Sequence, residues 1–221
     1  MFFEVVRILA MANINLLSEQ QTGWGKLSVL KQIPVGVYQA NCFIMGHKET
    51  GEGLVIDPGD DALRIMKEVS KSGLKIRYIL ITHGHFDHTS AAQEIRRITK
   101  APILIHKLDA SALNFKPDGY LEEGQQINLG TYPITVIHTP GHSPGGVCFH
   151  TNGAVFTGDT LFAGSVGRTD FSGGNHDQLI EGVRRTIFPL GDHLRVYPGH
   201  GPATTIQKER LTNPFFRIHS K

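Results

Sequence analysis

The sequence predicts a single mixed α/β (α+β) domain, and three observations lead there. Short β-branched apolar runs alternate with segments of helical periodicity along nearly the whole chain, the pattern of a layered α/β protein. Glycine is frequent, 25 of 221 residues, and evenly spread, as expected for many short elements joined by tight turns. Apolar residues make up 40% and charged residues 19%, an ordinary globular composition that excludes a disordered or collagen-like chain. At this length roughly 70% of the unfolded surface can be buried, so a core needs no staples.

Taken in order, residues 27–33 (LSVLKQI) and 41–45 (NCFIM) read as strands, followed by a short buried strand and turn in GLVIDPG at 53–59. Asp60 or Asp61 is expected to cap a helix in which Ala62, Ile65, Met66 and Val69 share a face, with Gly73 as its stop. Residues 76–82 form a buried strand, 89–99 a helix opened by Thr89 or Ser90, and 103–106 a strand entered through Pro102. Three more strands follow at 132–138, 146–150 and 154–158. Then come an amphipathic helix at 178–187, a strand at 194–197 and a short helix at 205–211. No Ser- or Pro-rich linker divides the chain. Residues 1–26 are expected to be a flexible extension, and 27–221 the folded domain.

Charge and thiols narrow the function. Lys plus Arg is 22 against 20 for Asp plus Glu, too balanced for a nucleic-acid-binding or membrane-surface protein. Two cysteines, Cys42 and Cys148, build neither a disulfide framework nor a four-thiolate zinc site, and both read as buried, inert thiols. No apolar run approaches the ~20 residues of a membrane-spanning helix. The apolar N-terminus carries Glu4 and Arg7, unlike a secretory leader, so a cytoplasmic location is expected.

Histidine is the unusual residue, with twelve copies. His83-Gly84-His85-Phe86-Asp87-His88 lies between a buried strand and a helix, with Gly84 expected to allow a tight turn. His142 in PGHSPGG, Asp159 in TGDT and His200 in PGHGP each repeat a polar donor beside glycine after an apolar strand. Together these are five imidazoles and two carboxylates with no thiolate, a donor set suited to zinc, iron or manganese. Seven donors exceed one tetrahedral shell, which argues for two metals with a carboxylate bridging. Without a cation the carboxylates and imidazoles would crowd one strand end at a desolvation cost.

HGHFDH, with His142, Asp159 and His200 in order and Asp57 in VIDPG, resembles the metallo-β-lactamase superfamily over about 27–212. The resemblance implies a four-layer αβ/βα sandwich with the site at one edge. It assigns His83, His85 and His142 to one metal and Asp87, His88 and His200 to the second, with Asp159 bridging and Asp57 holding a ligand imidazole from behind. Two divalent ions, zinc first, with iron or manganese compatible, would share a water and ionise it to a bridging hydroxide. Asp87 and Asp159 are the expected catalytic carboxylates.

Residues 158–162 (GDTLF) and 167–171 (GRTDF) resemble the glyoxalase II group, in particular its short hydroxyacylglutathione hydrolase-like members. This implies a metal-dependent hydrolase cleaving a small-molecule thioester such as S-D-lactoylglutathione. Only 21 residues follow His200, too few for the C-terminal helical domain that supplies glutathione contacts in full-length members. The alternative is a mononuclear iron persulfide dioxygenase, which the same GRTDF stretch resembles and which would use His83, His142 and Asp159. A secreted β-lactamase, a nuclease and a non-catalytic metal-binding module fit the sequence less well.

Outside the metal set, Arg168 is expected to pair with a buried carboxylate such as Asp170, and Thr160 to cap a turn or reach the site. Phe86 is expected to pack under its loop. His47, His106, His138, His150, His176, His193 and His219 are expected at the surface or at strand ends. Oligomeric state is not encoded in any motif.

Overall fold

The structure, a computed structural model, describes residues 28–217 and the two-residue strand Asn15–Leu16. The rest of the expected extension over 1–26, and His219, lie outside the described residues. Two β-sheets face each other and helices cover both outer faces, so the expected αβ/βα sandwich is present.

The first sheet runs in chain order through β1 (Asn15–Leu16), β2 (Ser28–Val35), β3 (Ala40–His47), β4 (Glu52–Ile56), β5 (Lys75–Leu80), β6 (Ile103–His106) and β7 (Gly119–Leu121). The second has the order β15 (Thr204–Thr205), β14 (Arg195–Pro198), β11 (Ala154–Gly158), β10 (Val147–Thr151), β9 (Tyr132–His138), β8 (Gln126–Leu129). A separate hairpin joins β12 (Leu161–Phe162) to β13 (Ser165–Val166).

Alternation along the strands builds three cores. Phe43 and Met45 of β3, Leu54 and Ile56 of β4, Phe156 of β11 and Tyr197 of β14 point between the sheets. Their intervening neighbours Cys42, Ile44 and Val55 point to helices α1 (Ala62–Ser72) and α3 (Ala92–Thr99). On the other outer face Val155 and Val196 meet Leu179 of α4 (His176–Gly182), Val183 and Ile206 of α5 (Ile206–Thr212). Strands buried on both faces read as continuous apolar runs, as β3 does. Cys42 and Cys148 are fully buried, and burial pushes both thiols up, Cys148 to about 11.

Several local expectations are corrected. Asp61 precedes α1 in a left-handed conformation (φ 54°) and makes no side-chain cap; its carboxylate accepts from the Gly36 N–H instead. The helix expected from 89 begins earlier, as a single turn α2 (Phe86–Thr89), breaks, and resumes as α3. Thr89 and Ser90 donate their hydroxyls back to the carbonyls of His85 and Phe86, so they end a turn rather than open one. The helix at 178–187 starts at His176, capped by the Asn175 side chain, and widens into a π turn over Val183–Ile187. His47 ends β3, one of the two places expected for it, and is buried there against Thr131 at 3.0 Å.

The topology places one edge of the sandwich apart. The segments after β4, β5, β9, β11 and β14 all end there, and the sheets are tied together across it. Val147 N–H donates to Thr82 C=O (2.8 Å) and Asn41 N–H to Gly199 C=O (2.7 Å), while within the second sheet Gly199 N–H donates to Gly158 C=O (2.8 Å). No helix among the described residues is long and apolar enough to cross a membrane.

Candidate metal centre

All seven predicted donors meet at that edge. The turn after β5 carries His83 and His85, and α2 carries Asp87 and His88. The segments after β9, β11 and β14 deliver His142, Asp159 and His200. Two groups have donor atoms within 4.8 Å of one another: His83, His85 and His142, and Asp87, His88 and His200. Asp159 lies against both, its carboxylate 3.5 Å from His142 Nε2, 3.5 Å from His88 Nε2 and 3.7 Å from His200 Nε2.

Hydrogen bonds behind the rings fix which nitrogen faces inward. His142 Nδ1 donates to the Arg168 carbonyl at 2.7 Å and His88 Nδ1 to Asp57 Oδ2 at 3.1 Å. The Thr82 hydroxyl donates to Asp57 Oδ2 at 2.6 Å, which leaves its oxygen to accept from His83 Nδ1 at 3.0 Å. Each of these three rings then points an Nε2 lone pair into the centre. Asp57 forms a third close group with His83 and His88, but its oxygens are already occupied by the Thr82 N–H, the Thr82 hydroxyl and His88. It is a buttress, as the resemblance implied, and sits at φ 49°, a left-handed strain tolerated at a well-braced functional position.

These residues fit a pair of cations. His83 Nε2 and Asp159 Oδ1 are buried with no hydrogen-bond partner. Ring nitrogens face each other at 2.9 Å (His85 with His142) and 3.2 Å (His88 with His200). Lone pairs packed this densely beside two carboxylates are costly unless a positive charge sits among them. The titration directions agree. Burial and the neighbouring imidazoles push His83 well below the usual range, and His85 is lowered for the same reasons. Burial also disfavours charge on His88, but Asp159 and Asp57 outweigh it and lift its pKa to about 9. The cluster thus recruits a proton where a cation would sit.

Two glycines are dictated by close approach. A Cβ at Gly199 would run into Asp159 Oδ1, and one at Gly59 into the Asp87 carbonyl. Gly84 has no positive φ, and close packing demands glycine there: a Cβ would meet Ala112 Cβ at 2.7 Å and the Asp109 carbonyl at 2.8 Å.

The centre opens into a cavity of about 800 Å³. Tyr38 and Phe86 form one wall, packed edge-on with centroids 5.3 Å apart; Phe162, Val166, Arg168 and Phe171 form the other. Phe86 is 61% exposed on this rim, so it does not pack beneath its loop. Arg168 pairs with Asp170 through two bonds of 2.7 and 2.5 Å, but both side chains are exposed rather than buried, and the guanidinium lies 4.1 Å over the Phe171 ring. Thr160 is a turn residue, its hydroxyl 3.0 Å from that of Thr139. Sequence reasoning missed Tyr38 and Phe162 on the cavity wall and Asp109 behind the ligand loops; an exposed aromatic in the tight VGVYQ turn was the only available signal.

Comparison with known proteins agrees with this geometry. The profile described as "Metallo-beta-lactamase superfamily" matches residues 35–200. The chain is 34% identical to the hydroxyacylglutathione hydrolase GloC of Haemophilus influenzae, over 85% of this chain and 98% of that protein. Among solved structures it resembles ETHE1 from Myxococcus xanthus, with a TM-score of 0.76 and 30% identity over 84% of this chain and 83% of that one. It also resembles TTHA1623 in a di-iron-bound form, with a TM-score of 0.74 and 35% identity over 83% of this chain and 98% of that one.

Proposed function

Because this chain belongs to the metallo-β-lactamase superfamily, whose members are metal-dependent hydrolases, we propose that it cleaves a small-molecule thioester, of the hydroxyacyl kind exemplified by S-D-lactoylglutathione. The observation that carries the reading is Asp159, set within 3.7 Å of ring nitrogens from both donor groups. His83, His85 and His142 would hold one divalent ion and Asp87, His88 and His200 a second, with Asp159 shared. Zinc is the first choice, and the similarity to a di-iron protein supports iron as an alternative.

When bound, two such ions would supply Lewis acidity and lower the pKa of a nearby water towards neutrality. The protein's residues do the rest. Asp87, half-buried and 3.3 Å from His200 Nε2, faces the cavity and can take a proton from water at Oδ2. Without metal, burial disfavours its charge, but the His200 hydrogen bond and the His88 charge hold its pKa below the usual carboxylate range. Water oxygen bonds to the thioester carbonyl carbon, the C–S bond breaks, and the thiol leaves with the proton. A thiolate is a good leaving group, so no strong general acid is needed. The aromatic walls offer apolar contact to a bound substrate. Similarity to GloC supports the substrate class. We place the enzyme in the cytoplasm, acting on small molecules and not on nucleic acid.

Protein purified without added metal should carry two equivalents and release thiol from S-D-lactoylglutathione. Asp159→Ala should lose both metal and turnover; full retention of both refutes the reading. Similarity to ETHE1 keeps one further reading in play, a one-iron persulfide dioxygenase using His83, His142 and Asp159, with His142 Nε2 only 3.5 Å from Asp159. One equivalent of iron, and oxygen consumption with glutathione persulfide, would select it.

A further inference from the structure

Asp57 braces His88 directly and His83 through the Thr82 hydroxyl. The His83–His85–His142 group has a further brace of its own. The 3₁₀ turn Lys107–Ala112 follows β6 and wedges between two ligand loops. Its Asp109 is 4% exposed and has no cation among its hydrogen-bond partners. One carboxylate oxygen accepts the N–H of Gly84 at 2.8 Å, the residue between His83 and His85. The other accepts the N–H of Gly145 at 2.6 Å, three residues after His142. One buried anion therefore clasps the backbones that present all three imidazoles of a single donor group.

The surrounding residues are shaped around this clasp. A Cβ at Gly145 would stand 2.6 Å from Asp109 Oδ1 and 2.7 Å from Asp109 N, and a Cβ at Gly84 would stand 2.8 Å from the Asp109 carbonyl. Two glycines on separate loops thus pack against one residue, Gly84 against Ala112 Cβ as well at 2.7 Å. His138, at the end of β9, adds a second hold on the same loop, its Nε2 2.9 Å from the Pro144 carbonyl. Its ring stacks on His106 at 4.2 Å, and His106 Nδ1 accepts from the Leu108 N–H at the head of the 3₁₀ turn. Gly84 and Gly145 donate to charge rather than to a neutral carbonyl, and charge-assisted bonds are shorter and roughly twice as strong.

We propose that Asp109 is a positioning residue that sets the spacing of His83, His85 and His142 through the Gly84 and Gly145 amides, and so governs occupancy of that group separately from the Asp87–His88–His200 group. This rests on the reading that the two groups hold metal. Asp109 touches no donor atom, so its effect passes through the backbone alone.

The test is zinc binding by the full chain, followed by chelator competition, in the wild type and in Asp109→Asn. An amide can still accept one N–H but turns a donor towards the other. The expected result is that one of two zinc ions weakens by about 10–100-fold, the usual cost of losing an outer hydrogen-bond partner, while the other stays within about threefold. Equal affinities for both ions in folded Asp109→Asn, or equal weakening of both, would overturn the proposal. Hydrogen exchange on the zinc-loaded wild type does not depend on the variant folding: slow exchange at the Gly84 and Gly145 amides is expected, and fast exchange at either would overturn the clasp. A wild type that takes up no zinc would instead overturn the metal reading beneath both.

Discussion

Exchanging Asp57 for Asn alters a single atom, and its consequence follows from the hydrogen bonds around it. The carboxylate accepts from the Thr82 N–H at 2.7 Å, the Thr82 hydroxyl at 2.6 Å and His88 Nδ1 at 3.1 Å. An amide oxygen can keep the Thr82 N–H. The amide nitrogen then takes the place of Oδ2, where the hydroxyl can rotate to accept but the imidazole N–H cannot. His88 escapes the clash by moving its proton to Nε2, the nitrogen that faces His200 at 3.2 Å and Asp159 at 3.5 Å. A ligand lone pair is thereby lost. Removing such a partner costs about 10–100-fold in metal affinity, or about 1.4–2.7 kcal/mol. Because two of the three hydrogen bonds survive, the fold itself should lose only about 1 kcal/mol. Chelator competition on the zinc-loaded protein reads the first quantity and urea denaturation the second. The weakened ion should belong to the Asp87–His88–His200 group. A folded Asp57→Asn protein that binds both zinc ions with wild-type affinity would refute the tautomer argument.

Four further outcomes follow from other parts of the molecule. Phe86→Ala removes an exposed rim aromatic, so KM should rise about 3–10-fold, the equivalent of an aromatic contact of about 0.5–1.5 kcal/mol, with kcat and urea midpoint nearly unchanged; a fall in kcat alone would count against a substrate-wall role. Lys31 reaches Glu68 at 3.0 Å inside the first sheet's outer face, and Lys31→Met should destabilise by about 2 kcal/mol because Lys71 still partners the carboxylate. Burial opposes charge on Glu68, but hydrogen bonds from Lys71 and Lys31 overcome it and hold its pKa below the ordinary value. A depressed carboxylate stabilises the fold above its unfolded pKa, so the stability gap between wild type and Glu68→Gln should be full above about pH 4.5 and close as pH falls further, as urea midpoints across pH would show. Phe156→Ala, between the sheets with Phe43 at 5.0 Å and Tyr197 at 5.2 Å, should cost about 4 kcal/mol by the same measurement.

The long strands and the donor positions were legible in the sequence because their signals are local. β-branched runs such as YPITVIH need no partner to be recognised, and a donor beside glycine after an apolar run marks a strand end. What escaped depends on distant neighbours. Asp61 looked like a helix cap, but its left-handed backbone turns the carboxylate towards Gly36. β7 and β8 are short and only partly apolar, so sheet pairing defines them more than composition does. Phe86 was placed inside because aromatics usually are; a flanking Tyr38, 48 positions earlier, is what draws it to the rim. Asp109 sits in an unremarkable KLDASA stretch, and nothing within that stretch reveals that Gly84 and Gly145 converge on it.

Arg168 joins two duties in one residue: its carbonyl anchors the His142 ring, while its side chain, spread over Phe171, shapes the wall that a substrate meets. Under the proposed function, selectivity and metal retention are therefore mechanically geared. Altering this stretch to admit a new acyl group would tug on an imidazole as well, so variants chosen for changed preference should be assayed for lost ions before any conclusion about recognition is drawn.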